Sequence, residues 1–323
     1  MSVTTKKFYT TNDLLKAVKR RASIPENQST FTEEDFLAFA NEEMDIGILP
    51  HIMMLHEDYL MFTDEVTLVA RQNRYAIPYR AIGNKLKDLE FKDVNGNIQE
   101  MTRIDKGARA FYQVNRVENS QKLYYVENNK IVLVPGVDDG PTGSLVFTYY
   151  IRPSALVSED RVATVSSFDA DTGVITVNSV PEVFTTSEEF DIYQFKSPHR
   201  PMKIDLTATA IDTVGNTITF ATTDIPDDLE VGDHIALAEE SIIPQIPSEQ
   251  HVVLSHRIAS RILESQGDIQ GLQAANSKLQ EMERKSDTLI DNRVENSPQK
   301  AVNRHSILMT TIRNKRYVKV RNK

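Results

Sequence analysis

The chain has 323 residues, 40% of them hydrophobic, a formal net charge of −9, and neither cysteine nor tryptophan. The apolar fraction is enough to build cores in two or three domains, which excludes a wholly disordered chain, and the missing cysteines exclude disulfides, thiolate zinc sites and cysteine nucleophiles. No apolar stretch approaches the roughly 20 residues that cross a bilayer, and no signal peptide is expected because no apolar segment follows the first lysines.

Residues 1–57 predict two helices. Thr10 begins the first as a cap, and Pro25 marks its exit. Thr32, followed by three acids that the helix dipole favours, begins the second, which Pro50 is expected to end or kink. The apolar stripes are Leu14, Leu15, Val18 and Ala22 in the first helix and Phe36, Phe39, Ala40 and Met44 in the second.

The apolar period then changes to two, which predicts a first β region over residues 58–155. Asn95-Gly96 predicts a hairpin with a type I′ turn between strands at 86–91 and 98–103, because this dipeptide tolerates positive φ angles. Further strands are expected at 65–69, 74–78, 122–127, 130–134 and 144–151.

A second β region, residues 156–247, contains an internal repeat. Residues 163–177 match 208–220 at an offset of about 43 residues, and an acid-led strand follows each copy. The repeat predicts a duplicated strand–turn–strand unit in a small barrel or sandwich, with a ligand-binding duplication as the alternative. The turn that starts at Asp169 resembles a calcium loop, but its twelfth position, Val180, is not an acid, so a plain turn is favoured.

Residues 248–296 predict two more helices. Ser248 is expected to cap the first, Gly267 to interrupt, and Pro298 to end helical structure. Leu254, Ile258 and Ile262 recur on one face of the first helix, and the expected seam of the second is Leu272, Ala275, Leu279, Met282 and Leu289. The predicted fold is α+β, with a helical bundle formed from the N- and C-terminal helices and antiparallel β domains inserted between them.

A search for catalytic motifs finds none: the chain has no dinucleotide fingerprint, no P-loop and no nucleophile elbow. His51 and His56, like His251 and His256, are five residues apart, which on a helix separates the rings by about 140°. No catalytic, cofactor-binding or metal-binding residue is therefore predicted, and the chain is not expected to be an enzyme. A glycan hydrolase stays open as an alternative, although no pair of carboxylates stands out.

Residues 297–323 form a separate basic unit, with eight lysines and arginines and no acid, which leaves about −17 on the preceding residues. Apolar residues alternate with these cations, which predicts an arm that docks on a partner subunit. Folding back on its own chain and binding nucleic acid are the alternatives. The predicted docking side chains are Arg304, Ile307, Leu308, Ile312, Arg313, Arg316, Tyr317, Lys319 and Arg321.

Five segments carry a family resemblance: TNDLLKAVKRRASIPENQSTFTEEDFLAFANEEM (11–44), RYAIPYRAIGNKLKDLEF (74–91), SPHRPMKIDLTATAIDT (197–213), ALAEESIIPQIPSEQHVVLSHRIASRILESQGD (236–268) and NRVENSPQKAVNRHS (292–306). They resemble virion structural proteins of tailed phages, including crAss-like and short-tailed types, and the layout is similar to that of head-to-tail connector (neck adaptor) proteins.

The resemblance implies a ring of copies, usually twelve, beneath the portal protein, with the arm reaching onto portal subunits. A downstream tail protein would lie on the other side, and double-stranded DNA would pass through without specific binding. The expected location is the virion, assembled in the host cytoplasm, with no cofactor and no membrane. A tail-tube or nozzle ring and a glycan-binding tail protein are the alternatives.

Overall fold

The N-terminal helices begin at the predicted caps. The computed structural model describes residues 8–25, 30–114, 122–134 and 143–290. Helix α1, Thr11–Arg21, begins where the Thr10 hydroxyl accepts a hydrogen bond from the Asp13 backbone N–H. Helix α2, Glu33–Glu42, begins with a capping box, in which Thr32 and Asp35 each accept from the other's backbone N–H. Both predicted starts are confirmed because these side chains satisfy N–H groups that a helix leaves open.

Pro50, which was predicted to end or kink the second helix, does not end it. A π-helical turn, Glu43–Ile48, follows α2 directly, and helix α3, Leu49–Leu55, continues from it. Pro50 is the second residue of α3, so the helical segment continues past a residue that cannot donate a backbone hydrogen bond. The wider π turn therefore lets the chain continue through a proline.

The bundle core joins both ends of the sequence. Helix α5, Ser248–Gln266, and helix α6, Ile269–Ile290, pack against each other, and α5 also packs against α1 and α2. Val18 of α1, Ile52 of α3 and Ile262 of α5 are completely buried in one cluster. Short helices gain little stability alone, so this shared core is what holds α1 to α3 in place.

Gly267, at φ 73°, ends α5 as predicted. Two other details of the C-terminal helices differ from the predictions. The cap position of α5 belongs to Pro247, and the Ser248 hydroxyl lies 3.4 Å from Nε2 of His199 instead. Leu289 is 70% exposed, because the buried face of α6 at that end passes through Ser286 and Ile290.

The first β region contains two four-stranded sheets that share a core. Its strands are β1 Met61–Thr67, β2 Arg74–Ala76, β3 Ala81–Lys92, β4 Ile98–Glu100, β5 Thr102–Arg103, β6 Leu123–Glu127, β7 Lys130–Val134 and β8 Ser144–Ile151, with a short helix, α4 Arg109–Val114, after β5. The orders are β1-β8-β3-β4 and β2-β7-β6-β5. Phe147 of the first sheet and Ile131 of the second are fully buried in one cluster. Apolar side chains on the two facing sheets thus exclude water from one another.

The type I′ turn predicted in this region is found at a different hairpin. The β3–β4 hairpin exists, but Asn95 is not among the described residues with positive φ, so a type I′ turn is wrong there. Asp93 accepts backbone hydrogen bonds from Asn95 and Asn97 through its carboxylate, and Gly96 alone takes a positive φ. The β6–β7 hairpin has both Asn128 and Asn129 at positive φ, as a type I′ turn requires.

The second β region curls into a barrel. Its strands are β9 Ala155–Leu156, β10 Ala163–Asp169, β11 Val174–Val177, β12 Glu189–Tyr193, β13 Pro201–Thr207, β14 Ala210–Asp212, β15 Thr217–Thr219, β16 His234–Leu237 and β17 Glu240–Ser241. The seven-stranded sheet has the order β13-β12-β16-β10-β11-β15-β14, and β9 pairs with β17 separately. Because β13 and β14 are successive parts of one segment but occupy the two ends of that order, the sheet curls back on itself. The α+β class predicted from the sequence is confirmed.

The two copies of the repeat lie against each other inside this barrel. Ile175 pairs with Ile218 across β11 and β15, and Ile192 pairs with Ile235 across β12 and β16. In both pairs the partners are 43 residues apart, and all four side chains are fully buried. Equivalent residues meet at two places, so an approximate two-fold axis relates the copies.

The turns of the two copies share one conformation. The carboxylates of Asp169 and Asp212 each accept a hydrogen bond from the backbone N–H two residues on, at 3.1 and 2.9 Å. Gly173 and Asn216, at equivalent positions, both have positive φ. Local hydrogen bonds therefore use the carboxylate of Asp169 that resembles the start of a calcium loop.

Candidate assembly surfaces

The predicted docking arm, residues 297–323, lies outside the described residues, so its nine docking side chains stay a prediction. The described part of the chain nevertheless contains four features that bear on assembly or hold its parts together. They are a groove on the helical bundle, a buried junction between the β regions, a pair of buried histidines between bundle and barrel, and a strongly acidic barrel.

The bundle groove is a cleft of about 250 Å³ between the π-helical turn, α5 and α6. Leu272 and Leu279 of α6 supply its apolar wall, and Ser260 and Asn276 supply polar groups. π-Helical turns are rare and often lie at functional sites, because the extra residue displaces the side chains that follow. A surface cleft beside such a turn is a candidate site of contact with another chain.

An ionic network lies along one rim of the bundle groove. Arg261 donates to Glu43 through Nε at 2.7 Å and to Glu42 through Nη2 at 2.5 Å. Arg257 donates to Glu43 at 3.4 Å and to Glu283 at 2.5 Å. These bonds connect the π turn, α5 and α6. The pairs are partly exposed, so they position the rim more than they stabilise the fold.

Gly47 makes room for this network. A Cβ atom at that position would lie 2.6 Å from Nη1 of Arg257 and 2.7 Å from Oε2 of Glu43. Both distances are shorter than van der Waals contact allows, so a side chain would displace the pair. The absence of a side chain in the π turn is what lets the arginine and glutamate approach each other.

Two polar atoms beside the bundle groove have no hydrogen-bond partner among the described residues. They are Oγ of Ser260, a residue that is only 7% exposed, and Nε of Arg257, which is also shielded from solvent. A buried donor without a partner costs about 1–3 kcal/mol. Both atoms are shielded by the chain itself, so a docked chain would reach them only if the surrounding side chains moved.

A buried charge cluster joins the first β region to the barrel. Arg80, just before β3, donates to Asp191 of β12 at 2.6 and 3.0 Å and to Asp205 of β13 at 2.5 Å. Arg80 is 3% exposed and Asp191 is 1% exposed. Burial lowers the pKa of the Arg80 guanidinium, but its bonds to Asp191 outweigh burial and raise that pKa above its ordinary value. The cluster fixes the two β regions relative to each other.

Two fully buried histidines lie where the bundle meets the barrel. Nδ1 of His251, in α5, accepts a hydrogen bond from the Tyr9 backbone N–H at 3.0 Å, and the His199 ring lies 5.8 Å away. Burial lowers the pKa of His199 to about 4, and burial together with the neighbouring His199 lowers the pKa of His251 to about 3. Both rings are therefore neutral near pH 7, and His251 ties the segment before α1 to the core.

Charge is distributed unevenly along the chain. Residues 156–247, which contain the barrel, have seventeen acids and four bases, a net charge of −13. Residues 58–155 are almost neutral, and residues 297–323 carry +8. The negative charge is therefore concentrated in the barrel, which is more negative than the net charge of −9 for the whole chain. The field of the barrel repels polyanions.

Sequence reasoning missed each of these surfaces. His251 was considered only as one half of a rejected metal pair, and Arg80 and Ser260 were not considered as site residues. Arg80 and Asp191 are 111 residues apart in the sequence, and His251 and Tyr9 are 242 residues apart, so no local spacing reveals these contacts. The available signals were the charge imbalance of residues 156–247 and the glycine inside an otherwise helical pattern.

Residues 9–186 match the model of a family described as SU10 adaptor protein, and a search of curated proteins found no match. Within the described ranges, no three histidine, aspartate or glutamate side chains are grouped as a metal ion would require. No helix in those ranges is both long and apolar enough to cross a membrane.

Proposed function

This chain belongs to the SU10 adaptor protein family, and from that premise we propose that it is the head-to-tail connector of a tailed phage. The match carries the proposal because it covers more than half of the chain, from α1 through the first β region into the barrel. The family is one of phage adaptors, which implies a virion component with a structural, non-enzymatic role and an association with portal and tail.

In this proposal, copies of the chain form a ring, twelve-fold by resemblance, that joins the portal to the next tail component. Helices α1 to α3, α5 and α6 contact neighbouring copies and the portal, and the β regions face the tail. The arm, 297–323, docks on another subunit of the assembly. The bundle groove supports this arrangement, because it places a partly apolar cleft between α5 and α6 on the surface expected to meet other chains.

The acidic barrel suits a channel through which DNA moves. We propose that it faces the lumen of the ring, where its −13 charge repels the phosphate backbone and prevents adhesion. At physiological ionic strength the repulsion extends about 8 Å, so it acts only on DNA close to the wall. DNA can then slide past without a specific contact.

Assembly with purified portal protein tests this function. The full chain is expected to co-sediment with portal rings in several copies per ring, whereas a chain that ends at residue 296 is expected to stay in the supernatant. Val214→Ser, at a barrel turn that is 92% exposed, serves as a control that should bind like the unchanged chain. A full chain that stays monomeric and free of portal would overturn the proposal.

A further inference from the structure

The bundle groove has the properties of a receptor for one large side chain. Its volume of about 250 Å³ lies below the roughly 300 Å³ at which pockets for drug-sized molecules begin. Leu272 and Leu279 supply an apolar wall, and Ser260 and Asn276 supply polar groups beside it. An aromatic ring would cover the leucines.

The charge around the groove selects a cationic partner. The groove and its ionic network contain two arginines and four acids, which are Glu42, Glu43, Glu264 and Glu283. The two arginines pair with three of these acids, Glu42, Glu43 and Glu283, and the set as a whole keeps an excess of negative charge. A segment with lysine or arginine on both sides of an aromatic residue therefore fits the groove.

The chain itself contains such a segment. Within residues 297–323, Tyr317 is the single Phe, Tyr or Trp, and it stands between Arg316 and Lys319 in a stretch without acids. We propose that the bundle groove binds the arm of an adjacent copy, with Tyr317 inserted between α5 and α6. Tyrosine is favoured at such positions because it buries a large rigid surface and still offers a hydroxyl group, here opposite Asn276 and Glu264.

Docking between copies follows from the proposed function, on which this inference rests. From Ile290 to Asn276 is about 21 Å along α6 at 1.5 Å per residue, a span that the arm could cover within its own chain as well. A groove on one copy that binds the arm of the next copy makes a head-to-tail contact, and such contacts form rings when the rotation between copies closes. Only docking of the arm on an adjacent copy, and not on its own chain, would help to join the copies of the proposed ring.

Cross-linking between two labelled populations tests the inference directly. Since the chain has no cysteine, Asn276→Cys in one population and Val318→Cys in a second, enlarged by a fusion tag, introduce unique thiols. A short bismaleimide is expected to yield the mixed-size covalent dimer. Val214→Cys, on the barrel turn, replaces Asn276→Cys as the control and should give none above background. A third variant carries both cysteines in one chain. No mixed dimer between the two populations, or a cross-link in the third variant that stays within single chains, would overturn the inference.

Binding measurements separate this inference from the proposed function. Tyr317→Ala is expected to weaken self-association at least about tenfold in sedimentation experiments, while Tyr317→Phe, which keeps the ring, loses less. The same proteins are then mixed with portal. If the full chain binds portal and Tyr317→Ala reduces that binding without changing self-association, the arm docks on portal and the inference is wrong, but the connector function stands. If the full chain does not bind portal, the function itself fails.

Discussion

The barrel and the bundle close in opposite ways. The barrel forms from one continuous stretch, residues 163–237, whose two copies pair through equivalent isoleucines. The bundle forms from the two ends of the described chain, with α1 to α3 packed against α5 and α6. A barrel that closes on itself can be rigid and carry charge, whereas a bundle assembled from distant helices keeps a groove and a π turn on its surface. The four predictions that follow test this contrast, from the largest expected effect to the smallest.

Removal of Arg80 should have the largest effect, because here the barrel depends on a residue from outside it. Arg80→Ala would leave Asp191, which is 1% exposed, without its cationic partner. A buried charge left alone costs about 3–5 kcal/mol, so the free energy of unfolding in urea should fall by that amount. The double variant Arg80→Met with Asp191→Asn removes both charges and should recover part of the loss. A loss below about 1 kcal/mol for Arg80→Ala would show that the junction contributes little.

Truncation of the paired isoleucines tests the two-fold relation within the barrel. Ile175→Ala and Ile218→Ala should each lower the free energy of unfolding by about 2–5 kcal/mol, because each opens a cavity in a closed core. Since the two side chains occupy equivalent sites, their losses should resemble each other more than either resembles Ile262→Ala in the bundle. The double variant should depart from additivity because the residues are neighbours. Widely different single losses would contradict the symmetry.

Acid should weaken the contact between bundle and barrel. His199 and His251 have pKa values lowered to about 4 and about 3. Between those values and the ordinary histidine pKa near 6.5, these side chains are protonated in the unfolded chain and neutral in the folded chain. Stability is therefore complete above the ordinary histidine pKa near 6.5 and falls as the pH drops from about 6.5 toward about 4, by at most about 1.4 kcal/mol per pH unit for each ring. Urea unfolding at about pH 7 and about pH 5 measures this slope. His251→Gln should flatten it, and an unchanged stability at about pH 5 would refute the assignment.

Loss of a helix cap should have the smallest effect. Thr32→Ala removes the hydroxyl that accepts from the Asp35 backbone N–H at 3.2 Å, which should cost about 1 kcal/mol of unfolding free energy. Thr32→Ser keeps the hydroxyl and provides the matched control. Because α2 belongs to the bundle, hydrogen exchange should increase there and stay unchanged in the barrel. An equal loss in the serine variant would mean that the methyl group, not the cap, is what matters.

Local chemistry accounts for the parts of the fold that the sequence predicts well. The Thr10 and Thr32 caps and the end of α5 at Gly267 depend on groups within a few residues, and all three predictions agree with the structure. The failures arise where a second local rule competes. Asp93 accepts the hydrogen bonds that shape the β3–β4 turn, which overrides the type I′ preference of Asn95-Gly96. The π turn similarly overrides the tendency of a proline to end a helix.

The candidate site could not be predicted because its parts are distant in the sequence. The bundle groove needs Glu43 from the N-terminal helices and Ser260 and Leu272 from the C-terminal ones. The junction needs Arg80 and Asp191, 111 residues apart. The internal repeat was visible in the sequence, but its consequence, that Ile175 and Ile218 pair with each other, follows only from the topology.

Images of portal rings mixed with the full chain test the central claim most directly, because they show at once whether the chain assembles, where it binds and how many copies take part. The expected result is a closed ring of copies on one face of the portal, with helices α1 to α3, α5 and α6 at the contact and the acidic barrels around an open channel. Bare portal rings beside single unattached copies, at concentrations where both proteins are folded, would contradict the assignment of this chain as a connector.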